Sequence, residues 1–166
     1  MQQLWSPWRM AYIQQKKAKE CVFCTTVAER NDAENYILHR GTRSFVIMNR
    51  YPYNPGHLMV APYRHVASLQ ELEKGELLEM ILLTRACERV LREAYRPQGF
   101  NVGINIGEAA GAGIADHLHL HIVPRWHGDT NFLAVLGETK SLPETLEETY
   151  RRLQPLFLED GRHGDA

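Results

Sequence analysis

The 166-residue chain has a formal net charge of −1, with 44% hydrophobic and 23% charged residues. This suits one domain with a sizeable core. It excludes the global basic field that holds nucleic acid, and no apolar run nears the roughly 20 residues that span a bilayer. Met1 to Trp8 shows no charged leader followed by an apolar core, and three cysteines are an odd count. No secretory signal is therefore expected, and a reducing, cytoplasmic setting is.

Residues 1–166 are read as a single domain. Residues 1–20 gather Leu4, Trp5, Trp8, Met10, Tyr12 and Ile13 ahead of three lysines and read as a packing segment. Tyr36 to His39 and Ser44 to Met48 are expected strands, hinged at Gly41. Asn49 to Gly56 is a loop by its proline, asparagine and glycine content, and His57 to Ala61 is the next strand. Ser68-Leu69-Gln70-Glu71 has the capping-box pattern. Between Glu76 and Tyr95, Leu78, Ile81, Leu82, Ala86, Val90 and Ala94 recur at helical spacing, which predicts one long amphipathic helix ended by Pro97. Cys87 within it reads as a buried structural thiol.

Phe100 to Ile106 and His117 to Val123 are further strands, the second closed by Pro124, with a glycine–alanine loop between them. Phe132 to Leu136 is a short strand, Pro143 to Leu158 a final helix, and about 159–166 a disordered tail. Two groups of strands separated by one long helix predict an α+β fold with an antiparallel sheet.

The run His117-Leu118-His119-Leu120-His121 carries the chemistry. Alternate residues of a strand share a face, so the three imidazoles project together while Leu118, Leu120 and Ile122 enter the core. A polar cluster of this kind needs hydrogen-bond partners or a ligand. A neutral imidazole is a competent nucleophile near neutral pH, and a neighbouring histidine can give a proton to a leaving group. The preceding loop, Gly107 to Gly113, offers backbone N–H groups of Gly111, Ala112 and Gly113 to phosphate oxygens. A zinc held by all three histidines is the rival reading; the outer pair, roughly 13 Å apart along a strand, makes it awkward.

Cys21-Val22-Phe23-Cys24 is a Cys-x-x-Cys pair. It fits a redox pair, two unrelated thiols, or half of a tetrahedral zinc site completed by two of His39, His57, His65 and His117. Spacing alone does not choose among these.

The segment His117 to Pro124, with the block around Pro55-Gly56-His57, resembles the signature of the histidine triad (HIT) family. Leu4-Trp5-Ser6-Pro7-Trp8-Arg9-Met10, Gly111-Ala112-Gly113, Pro124-Arg125-Trp126 and Gly128-Asp129-Thr130-Asn131-Phe132 are similar to its diadenosine tetraphosphate phosphorylase-like branch. The resemblance covers roughly residues 4 to 155. It implies the HIT fold, with one long central helix and a C-terminal helix, and a homodimer.

By the same resemblance, His119 is the nucleophile that takes a nucleoside monophosphate, and His121 contacts the α-phosphate and leaving group. His57 supports the triad, Asn49 binds the ribose hydroxyls, and Asn105 falls near a phosphate contact. A structural zinc would be held by Cys21, Cys24, His65 and His117, with no organic cofactor. The implied partners are a purine nucleotide or dinucleoside polyphosphate and inorganic phosphate, with neither nucleic acid nor membrane.

Gly113 and Ile114 stand where the hydrolase and phosphoramidase branches carry a glutamine, followed in some by serine. This favours the phosphorylase-like branch. A phosphoramidase or nucleotide hydrolase with the same nucleophile, a non-catalytic nucleotide binder and a triad zinc hydrolase remain the alternatives. Trp126 is read as packing, in a dimer interface, rather than as a base contact.

Overall fold

The computed structural model describes residues 20–129 and 143–160. The expected strand at Phe132 to Leu136, the segment 1–19 and most of the expected tail lie outside them. In chain order the elements are α1 (Val22–Glu29), α2 (Asp32–Asn35), β1 (Ile37–Arg40), β2 (Ser44–Met48), β3 (Leu58–Pro62), α3 (Lys74–Tyr95), β4 (Gly99–Ile104), β5 (Leu120–Arg125) and α4 (Leu146–Asp160), with short 3-10 turns at Leu69–Glu71 and Glu108–Ala110. The strands form one antiparallel sheet in the order β1-β2-β3-β5-β4, an α+β architecture.

At β2 and β3 both faces of the sheet are covered, which is why these strands read as continuous apolar runs. On one face Val46, Met48, Leu58, Val60, Leu118, Leu120 and Ile122 pack with Met80, Leu83, Cys87, Val90 and Leu91 of α3 and with Leu153 and Phe157 of α4. On the other, Ile37, Phe45, Ile47, Met59 and Ala61 surround Phe23 of α1. Residues one apart in β2 and β3 thus belong to different cores.

Three expectations need correction. The buried stripe of α3 is Met80, Leu83, Cys87, Val90 and Leu91, whereas Leu78 and Ile81 are 61% and 59% exposed and Leu82 is also on the outside. The period is right but the face is wrong for the first turns, because apolar residues occupy both sides there. The long helix also begins earlier, at Lys74. Its capping box is Glu73 with Glu76, while Ser68 caps only the 3-10 turn.

The histidine strand begins at Leu120 rather than His117, and Pro124 lies inside it. A proline is tolerated because β3 pairs with β5 only as far as Leu58↔Ile122, leaving Pro124 opposite β4 alone. At the other end of the chain, α4 starts after Thr145, which exchanges hydrogen bonds with Glu148 as a reciprocal cap.

Candidate active site

Although His117 to His119 precede β5, they keep the alternation of a strand. The Leu118 N–H donates to the Val66 carbonyl at 2.7 Å, and Leu118 enters the helix-side core. His117 and His119 turn to the other face, with ring centroids 5.2 and 5.1 Å from Phe23. The His119 and His121 rings meet edge to face at 4.7 Å.

Acceptors on the backbone fix the proton positions. Nδ1 of His119 lies 2.8 Å from the His117 carbonyl. A carbonyl can only accept, so Nδ1 carries the proton and Nε2 presents a lone pair. At His57, Nδ1 accepts the Tyr53 N–H at 3.1 Å. Its Nε2–H is then the donor to Nδ1 of His121, 2.9 Å away. His121 accepts on Nδ1 and keeps its proton on Nε2.

Burial favours the neutral rings. His119 is 4% exposed, and desolvation lowers its pKa below the usual imidazole value despite the carbonyl contact. Desolvation, then the neighbouring His119, lowers that of His121 to about 4. The site therefore holds a neutral nucleophile and a neutral donor at physiological pH.

His117 points its ring elsewhere. Its Nε2 lies 2.9 Å from the Pro62 carbonyl, so that nitrogen is protonated and Nδ1 offers a lone pair. That Nδ1 faces Cys21 Sγ at 3.3 Å, Cys24 Sγ at 3.6 Å and His65 Nδ1 at 3.3 Å, and Cys24 Sγ is 3.5 Å from His65 Nδ1. All four atoms lie within 4.8 Å of one another. A tetrahedral zinc with ordinary bond lengths would separate two nitrogens by about 3.3 Å and a sulfur from a nitrogen by about 3.6 Å. The cluster fits that ion, and its donor set is the closed sulfur–nitrogen type of structural sites.

The spacing left four histidines open as partners of the cysteines. The structure brings His65 and His117 to them, while His39 stacks on Phe157 of α4 and His57 pairs with His121. The three triad rings do not converge on one point, contrary to the rival reading. Phe23, between the two cysteines, plugs the sheet beneath His117 and His119; α1 itself was not legible in the sequence.

Asn49 sits at the end of β2 beside His57. Its Oδ1 accepts the Tyr51 N–H at 2.8 Å and its Nδ2 is 3.4 Å from His57 Nδ1. It also lines a cavity of about 300 Å³ with Arg50, Pro55, Gly56 and the start of α4. Gly56 precedes His57 at φ +72°, where an added Cβ would lie 2.8 Å from Leu91, so only glycine allows this approach to α3. Asn105 lines a second cavity together with His121. In the glycine loop, the Gly111 and Ala112 N–H groups turn back onto the Glu108 and Gly107 carbonyls at 2.9 and 3.4 Å. Those two donors are used inside the loop rather than held out to a ligand.

Several contributors had no sequence signal strong enough to single them out. Tyr53 lies against both His57 and His121, with centroids at 4.6 and 6.1 Å. Buried Asn54 bridges the Pro124 carbonyl and Asp129 at 2.8 and 2.9 Å. Glu76 is buried and receives Arg64 on both oxygens, which anchors the loop bearing His65 to the start of α3. Trp126 rests edge-on against Tyr95 of the same chain.

The HIT domain family model matches residues 30–128. An AP-4-A phosphorylase of Mycobacterium tuberculosis is 41% identical over 161 residues, covering 92% of this chain and 83% of that protein. The asymmetrical bis(5'-nucleosyl)-tetraphosphatase of Schizosaccharomyces pombe is 30% identical over 122 residues, covering 74% of this chain and 63% of that one. Among solved structures, a Zn-bound histidine triad family protein from Mycobacterium smegmatis superposes with a TM-score of 0.69 at 27% identity, covering 87% of this chain and 97% of that one. With a family match over most of the described residues and a triad of this geometry, the chain belongs to the HIT family.

Proposed function

We propose that this protein cleaves dinucleoside polyphosphates, such as diadenosine tetraphosphate, at the α-phosphate through a nucleotidyl–His119 intermediate. The observation that carries the reading is the contact from His119 Nδ1 to the His117 carbonyl, which leaves Nε2 as a neutral, buried nucleophile. The names of the phosphorylase and tetraphosphatase relatives supply the substrate class. In the first step His119 Nε2 bonds to the α-phosphorus while the bond to the bridging oxygen breaks. His121, oriented by the His57 Nε2–H, keeps its own Nε2–H and hydrogen-bonds it to that oxygen, which leaves with the bond's electron pair as a phosphate oxyanion. Phosphate or water then displaces the imidazole and releases ADP or AMP. Positioning and charge stabilisation account for most of the acceleration in such transfers. The absence of the glutamine before the triad favours phosphorolysis.

Zinc, when bound by Cys21, Cys24, His65 and His117, supplies structural cross-linking between α1, the loop after β3 and the triad segment. A second copy of the chain covers the exposed Leu78, Ile81 and Leu82 of α3 and the edge that β4 leaves unpaired among the described residues, giving a homodimer. No described helix is long and apolar enough to cross a membrane. The direct test is incubation with diadenosine tetraphosphate, with and without phosphate, followed by product identification and mass detection of an adduct on His119. The reading fails if neither products nor adduct form.

A further inference from the structure

Strand β4 reads Asn101-Val102-Gly103-Ile104-Asn105, polar or absent side chains alternating with apolar ones. The register pairs Gly103 with His121 and Asn101 with Val123, so Asn101, Gly103 and Asn105 share the face that carries His121. Together with Tyr53 and Arg125 they line an open trough of about 340 Å³.

Among the described residues nothing requires glycine at 103. Its backbone is not in the positive-φ region, and an added Cβ would meet nothing within 4 Å. Glycine in a strand interior weakens the strand and often marks a bulge, a bend, or a place where a ligand or another backbone comes close. The floor beside His121 is therefore kept bare.

The walls are set with donors. Arg125 gives Nε and Nη2 to the Asp129 carboxylate at 2.6 and 2.9 Å, and Nη1 to Asn101 Oδ1 at 2.6 Å. Asp129 is held in turn by Asn54 Nδ2 and the Trp126 N–H. Three of the five guanidinium hydrogens are thus spent on orientation, and one remains on each Nη. Because Asn101 turns its oxygen to Arg125, its NH2 is the end left for a ligand. Arg125, Asn101 and His121 present hydrogens, and such a set selects phosphate oxygens over a neutral acceptor-poor group.

We propose that this trough seats the phosphate chain that leaves His119's target and then the inorganic phosphate that replaces it, with Asn101, Gly103 and Arg125 deciding phosphate over water as acceptor. The inference rests on the nucleotidyl–His119 reading. In-line displacement makes the two occupants share one place: the first leaving oxygen departs opposite Nε2, and the second nucleophile must approach opposite Nε2. In that second step a phosphate oxygen bonds to the α-phosphorus as the N–P bond breaks. The electron pair returns to Nε2 of His119, and the product is a nucleoside diphosphate.

The test compares wild-type protein with Asn101→Asp, which keeps a partner for Arg125 and places a carboxylate in the trough. The expected result with diadenosine tetraphosphate is a fall of at least about tenfold in the ADP-to-AMP product ratio at fixed phosphate, with the phosphate half-saturation rising as much. Gly103→Ala, whose added methyl meets no neighbour, should raise the phosphate half-saturation without altering the melting temperature. Inorganic phosphate alone, titrated against the His121 imidazole resonances, should perturb them in wild type and much less in Asn101→Asp. An unchanged product ratio in Asn101→Asp, or no response of His121 to phosphate, overturns the trough. A wild type that forms the His119 adduct but yields AMP only also overturns it, while leaving the nucleophile intact. Failure to form any adduct defeats the underlying reading instead, and the phosphate titration still decides the trough.

Discussion

The carbonyl oxygen of His117 accepts the Nδ1 proton of His119 across 2.8 Å, while the His117 ring faces the opposite way, toward two thiols and a second histidine. One residue thus borders two sites: its side chain belongs to the metal cluster and its main chain sets the tautomer of the nucleophile.

Replacing His119 by alanine or glycine removes the only proposed nucleophile. Turnover of diadenosine tetraphosphate should fall by on the order of a thousandfold or more, with nucleotide binding retained. Steady-state rates and equilibrium binding of AMP check this; turnover within a few-fold of wild type would contradict the mechanism.

The cluster at Cys21, Cys24, His65 and His117 should bring one zinc per chain through purification, measured by elemental analysis. Cys24→Ser should lose most of it and lower the melting temperature by several degrees, because the ion ties α1 and the loop after β3 to the triad segment. Zinc retained at full stoichiometry in Cys21→Ser together with Cys24→Ser would move the metal elsewhere.

Leu118 is 2% exposed and lies between the two sites. Leu118→Ala should cost about 3 kcal/mol of stability by leaving a cavity. Chemical denaturation measures this. A loss below about 1 kcal/mol would mean that the segment does not stand on the helix-side core.

Acid should destabilise the fold in two stages. His121 has its pKa lowered to about 4, so the unfolded chain binds the extra proton between its own value near 6.5 and that figure. Stability is full above pH 6.5 and declines as pH falls toward 4. Glu76, which Arg64 lowers to about 2, keeps its contribution until pH drops below the ordinary carboxylate range, and it is lost as pH falls through about 2. Melting temperatures across pH 3 to 8 should show the first decline, and His121→Asn should make it shallower, the rest coming from the buried His119.

Much of this was legible in the chain. The alternation at His117 to His121 placed imidazoles on one face and leucines on the other, and the structure does the same, because a sheet buried on both sides tolerates no other register. Spacing narrowed the cysteine partners to four histidines but could not choose, since the choice depends on Pro62 and the turn that follows it. Two helices around the cysteines and asparagine were invisible because they are short and lack a long apolar period. The face of α3 was misjudged because Leu78, Ile81 and Leu82 are as apolar as the buried stripe. The trough was written in the alternation of Asn101, Gly103 and Asn105, but only pairing with His121 gives that pattern a meaning.

Neighbouring positions from 117 to 122 serve alternately as reactive surface and as oil. Adding or deleting a single codon between Leu118 and Leu120 would exchange the two sets downstream, handing a leucine to the phosphate and an imidazole to the hydrocarbon interior. The reactivity of this segment is a matter of odd and even, and a lineage can redecorate it by substitution far more readily than it can lengthen it.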